Sequence, residues 1–288
     1  MNLKNSNQQI VHHLLRLACF ALLAGRAWQH LFWDAPFRAL LWDKELMESL
    51  VLFFRGGTWQ EYVTSAGADH FIQTSKVIFG IFYAIMALLT LVVGSRQLAK
   101  FTPLYILSSV ALAFLALLYS KEKFFHAGQF FEYTIQFLLP LFFCYGLSNR
   151  IEKKKLLLLM KIAIAFTFSA HGLYAIGFYP QPGVYIDMII NILHLREATA
   201  KDFLVVAGVL DFVIAVTIFI PRIAKYFLLY AAIWGGLTAF ARGWANFYWA
   251  FPLDSLHQNL YETFYRLPHM LIPLAAVLML YPTVKKQS

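Results

Sequence analysis

The sequence predicts an all-α polytopic membrane protein with eight transmembrane helices, arranged as two parallel four-helix repeats. Composition, segment spacing and self-similarity predict it together. Of 288 residues, 60% are hydrophobic and 14% charged, and mean hydropathy is +0.61. A soluble domain carries about 25% charged residues, because its surface must face water. Eight apolar segments approach the roughly 20 residues a helix needs to cross a hydrocarbon core of about 30 Å. The second half of the chain then echoes the first.

The first segment, Leu14 to Trp33, has a span's length and an internal Arg26, so it reads as a retained helix rather than a cleaved signal peptide. The stretch Phe37 to Phe54 has helical apolar spacing but is interrupted by Asp43, Lys44, Glu45 and Glu48, and reads as an amphipathic helix lying in the interface. Lys76 to Val93, Phe101 to Tyr119 and Gln129 to Leu147 complete a first unit over residues 1–150. Leu156 to Tyr179 opens the second unit, residues 151–288, and Val184 to Leu195 reads as its interfacial helix. Phe203 to Ile220, Tyr226 to Asn246 and Phe264 to Leu280 are its remaining spans.

The net charge of +9 does not point to nucleic acid, because the basic residues sit in short clusters between apolar runs instead of on one stripe. Lys4, Arg96 with Lys100, Arg150 with Lys153, Lys154 and Lys155, Arg222 with Lys225, and Lys285 with Lys286 all fall on the same side of an eight-span layout. Basic loops stay in the cytoplasm, which places both termini there, as expected for a bacterial inner-membrane protein. The opposite loops hold Trp28, Trp33, Trp42, Trp59, Trp244 and Trp249 near the interface. Cys19 and Cys144 lie in separate apolar segments with no CxxC, so neither a disulfide framework nor a thiol redox motif is signalled.

The repeat rests on ordered matches outside the apolar residues. His30-Leu31-Phe32-Trp33 parallels His171-Gly172-Leu173-Tyr174, and Pro36 or Pro182 follows. Gly80-Ile81-Phe82-Tyr83 parallels Gly208-Val209-Leu210-Asp211, Ala99-Lys100-Phe101 parallels Ala224-Lys225-Tyr226, and His126 with Glu132 parallels His257 with Glu262. An even number of crossings per unit gives both units one orientation, unlike the inverted repeats of many ion-coupled transporters.

On His171 to Gly177, Gly208 to Asp211, and Trp234-Gly235-Gly236-Leu237-Thr238-Ala239 with Arg242, the second unit resembles the DoxX-like family of four-helix membrane proteins, over about Leu156 to Pro282. The first unit departs where Tyr83 stands at the place of Asp211 and Leu117 near that of Arg242. The resemblance implies a four-helix unit. It also implies kinship with small membrane subunits of quinone-linked sulfur or terminal oxidases.

A charge at the centre of a membrane helix costs about 2.5–3.5 kcal/mol on insertion scales and usually faces a bundle interior. Asp211 sits near the middle of the sixth segment and Arg242 near the outer end of the seventh. Glu262, Arg266 and His269 share one face of the eighth segment, Arg26 and His30 one face of the first, and Glu132 and Gln136 one face of the fourth. With His171, Trp234 and Thr238, these residues fall in the extracytoplasmic half and suggest a polar pocket opening outward. Two readings stay open: a pocket for a ligand or quinone, or structural ion pairing of Arg242 with Asp211 and of Glu262 with Arg266.

His171 with His269 or His126 offers axial ligands to a haem, but nothing in the spacing demands one. His126 with Glu132 and His257 with Glu262 lie on different helix faces, against a metal site. No GxSxG, HExxH, P-loop or dinucleotide fingerprint occurs. Three functions compete. One is a redox-associated subunit binding a quinone head group or a small apolar solute, with Arg242 or His171 donating to a carbonyl oxygen and Asp211 holding the cation in place or relaying a proton. The second is a scaffold or assembly factor docking a membrane-protein partner. The third is a transporter, disfavoured because the sequence shows no broken helices at matching places in both halves, although Pro268 and Pro273 offer a kink in the eighth.

Overall fold

The computed structural model describes residues 3–148 and 150–280. The C-terminal Lys285 and Lys286 lie outside them, as does the side chain of Lys4. The described residues are helical and contain no strand. In chain order the helices are α1 Leu3–Phe32, α2 Phe37–Leu41, α3 Lys44–Arg55, α4 Trp59–Val63, α5 Ala66–Val92, α6 Leu98–Glu122 and α7 Ala127–Phe131. They continue as α8 Thr134–Leu147, α9 Lys153–Ala175, α10 Gly183–Leu193, α11 Glu197–Thr217, α12 Ala224–Ala245, α13 Pro252–Arg266 and α14 Pro268–Leu280.

Among the described residues, seven segments are long and apolar enough to cross a membrane: Asn7–Phe32, Ala66–Val92, Leu98–Glu122, Ala127–Leu147, Lys153–Ala175, Ala224–Ala245 and Pro252–Leu280. Helix α11, at the place of the eighth expected span, has 21 residues, a rise of about 32 Å, but is not among these seven. Lys201, Asp202 and Asp211 make it too charged to join the seven on composition.

The helices pair in a recurring order. Helix α1 packs along α5 and α9 along α11, while α6 packs on α7 and α8 and α12 on α13 and α14. Helix α1 then lies against α13 and α14, and α9 against α7 and α8, so that α1, α8, α9 and α14 form the centre. The core there is built from Leu15, Leu22, Phe143, Ile164 and Ile272, all buried. Glycine sets the closest approaches. A Cβ on Gly235 of α12 would lie 2.3 Å from the His269 carbonyl oxygen of α14, and one on Gly25 of α1 would lie 2.6 Å from the Tyr265 amide nitrogen of α13.

The segments Ala127–Leu147 and Pro252–Leu280, the fourth and eighth of the expected spans, are each split into two helices, where the sequence predicts no breaks at matching places. In the first, the Tyr133 amide donates to the Phe130 carbonyl (3.2 Å), a tighter turn than the α-helical one. The orphaned groups find side chains: the Thr134 hydroxyl donates to the Phe131 carbonyl (2.7 Å), and the Ile135 amide donates to the Thr167 hydroxyl on α9 (3.1 Å). In the other, Pro268 supplies no N–H and cannot continue the ladder. The Met270 amide turns to the Leu267 carbonyl (3.0 Å), and the ring of His269 donates from Nδ1 to the Arg266 carbonyl it left free (2.9 Å). Apolar surroundings leave no water for such groups, so the break survives only where side chains take them.

The stretch after the first span splits into α2 and α3, neither long enough to cross. Asp43 caps α3 by accepting from the Leu46 amide (2.9 Å) and pairs with Lys121 at the end of α6. Phe53 and Phe54 stand exposed near the end of α3.

Gly235→Ala overpacks the α12–α14 contact and should cost about 1–3 kcal/mol, read as a lower thermal midpoint in detergent. Gly67→Ala, with nothing within 4 Å of the added Cβ, should leave the midpoint unchanged or slightly raised.

Candidate functional site

A cavity of about 810 Å³ lies within the second half, walled by α9, α10, α11, α12, α13 and α14. Seven of the residues singled out from sequence line it: His171, Asp211, Trp234, Thr238, Arg242, Arg266 and His269. The remaining wall is mainly apolar, with Phe168, Met188, Leu204, Ala207 and Leu260 among it. Organic ligands occupy spaces of this kind, about 300–1,000 Å³ and apolar with a few placed polar groups.

The polar groups form a connected set. His171 on α9 shares a hydrogen bond through Nδ1 with the Tyr185 hydroxyl on α10 (3.1 Å), and its ring centroid is 5.6 Å from that of His269. The Arg242 guanidinium lies 5.4 Å from the centroid of the Tyr185 ring. Because Nδ1 of His269 meets a carbonyl, it carries the hydrogen, and in the neutral ring Nε2 is left as an acceptor with no partner. The Thr263 hydroxyl, also in the wall, is buried without a partner.

The cations are paired, but not as the sequence suggests. Arg242 binds Glu262 (3.1 Å) instead of Asp211, and Arg266 binds Glu132 (3.0 Å) instead of Glu262. Glu262 and Arg266 are one turn apart in sequence, yet the guanidinium of Arg266 points across the break to the other split segment. Gln129 also donates to Glu132, at 3.3 Å. Glu132 and Glu262 thus stand behind the cavity as counterions and are not part of its lining.

Asp211 is therefore left without a cation among the described residues. Its side chain is buried, Trp234 lines the same cavity, and Oδ1 has no hydrogen-bond partner. A carboxyl group in this position is open to a ligand that offers a donor.

Arg26, His30 and Gln136 form a separate group outside the cavity. Arg26 is fully buried and donates to Oε1 of Gln29 (2.7 Å) and Oε1 of Gln136 (2.6 Å). No carboxylate pairs with it among the described residues. Instead the rings of Tyr265, Tyr133 and Tyr119 surround the guanidinium, with centroids 3.9, 5.2 and 5.6 Å away, so π faces supply its negative field. His30 packs against Phe37 and Tyr83.

Sequence reasoning missed Tyr185, Thr263, Gln29 and the three tyrosines. Gln29 carried a signal, a polar residue three places from Arg26 in an apolar run. Tyr185 carried none, because an aromatic residue in an interfacial segment is expected to face lipid. No three His, Cys, Asp or Glu side chains among the described residues are placed to hold a metal ion. Comparison with protein-family models, curated proteins and solved structures found no match to this chain.

Glu132→Ala strips a buried cation of its partner and should cost about 3–5 kcal/mol. The Glu262 side chain is 26% exposed, so Glu262→Ala should cost distinctly less, in denaturation of the detergent-solubilised protein.

Proposed function

We propose that this chain is an eight-span membrane protein, a tandem of DoxX-like units, that binds a quinone-type molecule in the cavity of its second unit. The observation that carries the reading is the buried, cation-free carboxyl of Asp211 beside the hydrogen-bonding groups of His171 and Arg242 in an apolar cavity. A ring with oxygens at both ends accepts from Arg242 or His171 at one oxygen, and in its reduced form donates to Asp211 from the other.

Three further observations support the reading. Counting α11 as a span, since it packs on α9 as α5 packs on α1, gives eight crossings. It also keeps Arg96, Lys100, Arg150, Lys153, Arg222 and Lys225 on one side, which the positive-inside rule makes cytoplasmic, and suits a bacterial inner membrane. The first unit offers a comparison for the cavity. By the sequence match, Ala207, Asp211 and Gly243 of the cavity correspond to Phe79, Tyr83 and Leu118, larger residues, of which Phe79 and Leu118 cluster with Phe37 and Tyr83 meets the Phe79 ring.

A scaffold function is a second reading, favoured by the pairing of Arg242 with Glu262 and of Arg266 with Glu132. It leaves Asp211 unaccounted for. The breaks in the fourth and eighth spans do not revive a transporter reading, because Thr134, Thr167 and His269 take freed backbone groups that would face a substrate.

Ring-bearing compounds extracted from the purified protein test the proposal, followed by titration of an isoprenoid quinol. Asp211→Asn should weaken binding about tenfold, the value of one hydrogen bond to a charged group, and Ala207→Phe should abolish it by filling the cavity. A wild-type protein that carries no such compound and takes up none on titration refutes the assignment.

A further inference from the structure

The cavity has a mouth, and its residues show where it opens. Of the side chains lining the cavity, the exposed ones include Leu193 of α10, Phe203 of α11, and Leu237, Phe240 and Trp244 of α12. No exposed lining residue is polar or charged. Leu237 is 59% exposed and Phe240 55% exposed on a helix that is long and apolar enough to cross the membrane, well inside its ends at Ala224 and Ala245. Exposed leucine and phenylalanine at that depth face hydrocarbon, whereas an opening to water would be rimmed by polar groups. Trp244 and Trp249, also in the lining, are exposed at the outer end of the same helix and beyond it, where aromatic residues mark the level of the headgroups.

Helix α10 forms the outer wall of this mouth. It has no buried residue and packs mainly on α11 and α12. Two contacts hold it from the cavity side: the Tyr185 hydroxyl on His171, and Asn191, which donates to the Ala245 carbonyl at the end of α12 (3.1 Å). Below it, the rings of Phe203 and Trp234 meet across the gap between α11 and α12 with centroids 6.4 Å apart.

We propose that the cavity opens sideways into the bilayer between α11 and α12, and that its ligand is drawn from the lipid phase, not from the aqueous side. The sequence suggested an outward polar opening; the polar groups lie at the inner wall and the rim is apolar. The ligand class follows from the order of surfaces met on entry: an apolar body passes Leu237 and Phe203, and one polar end reaches Asp211, His171 and Arg242. This rests on the cavity being a binding site, as proposed above, but not on the ligand being a quinone.

The test uses the full chain in phosphatidylcholine vesicles with two probes: an aryl diazirine that partitions into lipid, and a charged diazirine confined to water. After irradiation, adducts are mapped by mass spectrometry. The lipid-phase probe should label Phe168 and Leu204, which are buried from the outer surface and line the cavity, and the aqueous probe should not. Ala207→Phe should remove that interior labelling while labelling of the outward-facing Ile233 persists. Interior labelling by the aqueous probe, or by neither probe, overturns the lateral route. Interior labelling by the lipid probe with no quinone bound keeps the route and rejects the quinone. A bound quinone without interior labelling does the reverse.

Discussion

The ion pair between Arg266 and Glu132 is the contact on which the arrangement depends. It joins the two split segments at the places where each is broken. Both side chains are almost wholly buried, so neither charge has water as an alternative partner. Breaking one buried pair costs several kcal/mol, about the size of a domain's whole margin of stability. With Arg266 drawn to Glu132, Glu262 is free for Arg242, and Asp211 is left without a cation. The chemistry of the cavity is thus a consequence of which partners the arginines take.

The two buried cation-bearing regions differ in what surrounds them. Around Arg26 and His30, tyrosine and phenylalanine rings make the contacts, and a cation without a carboxylate is held by amide oxygens and π faces. Around His171 and Asp211, smaller residues leave the space open, and the carboxyl has no counterion. Unpartnered polar atoms in hydrocarbon surroundings are costly. Asp211 Oδ1, Thr263 Oγ1 and His269 Nε2 in the cavity wall are such atoms, but so are Arg26 Nε, His30 Nε2, Tyr83 Oη and Gln136 Nε2 around the other buried cation, so what sets the cavity apart is the space beside its polar groups.

Much of the fold was legible because crossing a bilayer imposes a length and an apolarity that few other segments share. The limits of that signal show at particular residues. Helix α5 starts at Ala66, ten residues before Lys76, because apolar length marks the span and not the polar turns by which a helix extends beyond it. Helix α13 likewise begins at Pro252 instead of Phe264. The break before Tyr133 has no proline or glycine at the junction and depends on Thr167 from another helix, so no local pattern marks it. Asp211, His171 and Arg242 stood out, since a polar residue in an apolar run is conspicuous. Their partners did not: Arg266 and Glu132 are 134 positions apart, and spacing within a helix favoured the neighbour Glu262. Tertiary packing decided against it.

Charge exchange at the helix breaks tests the account most directly. Denaturation is measured for Glu132→Arg, Arg266→Glu and the double variant carrying both. If the pair fixes the two spans against each other, each single change is severely destabilising and the double variant recovers more than half of the loss, a coupling of about 3 kcal/mol or more. Losses that simply add in the double variant contradict the account, because the two charges would then be held by their surroundings and not by each other.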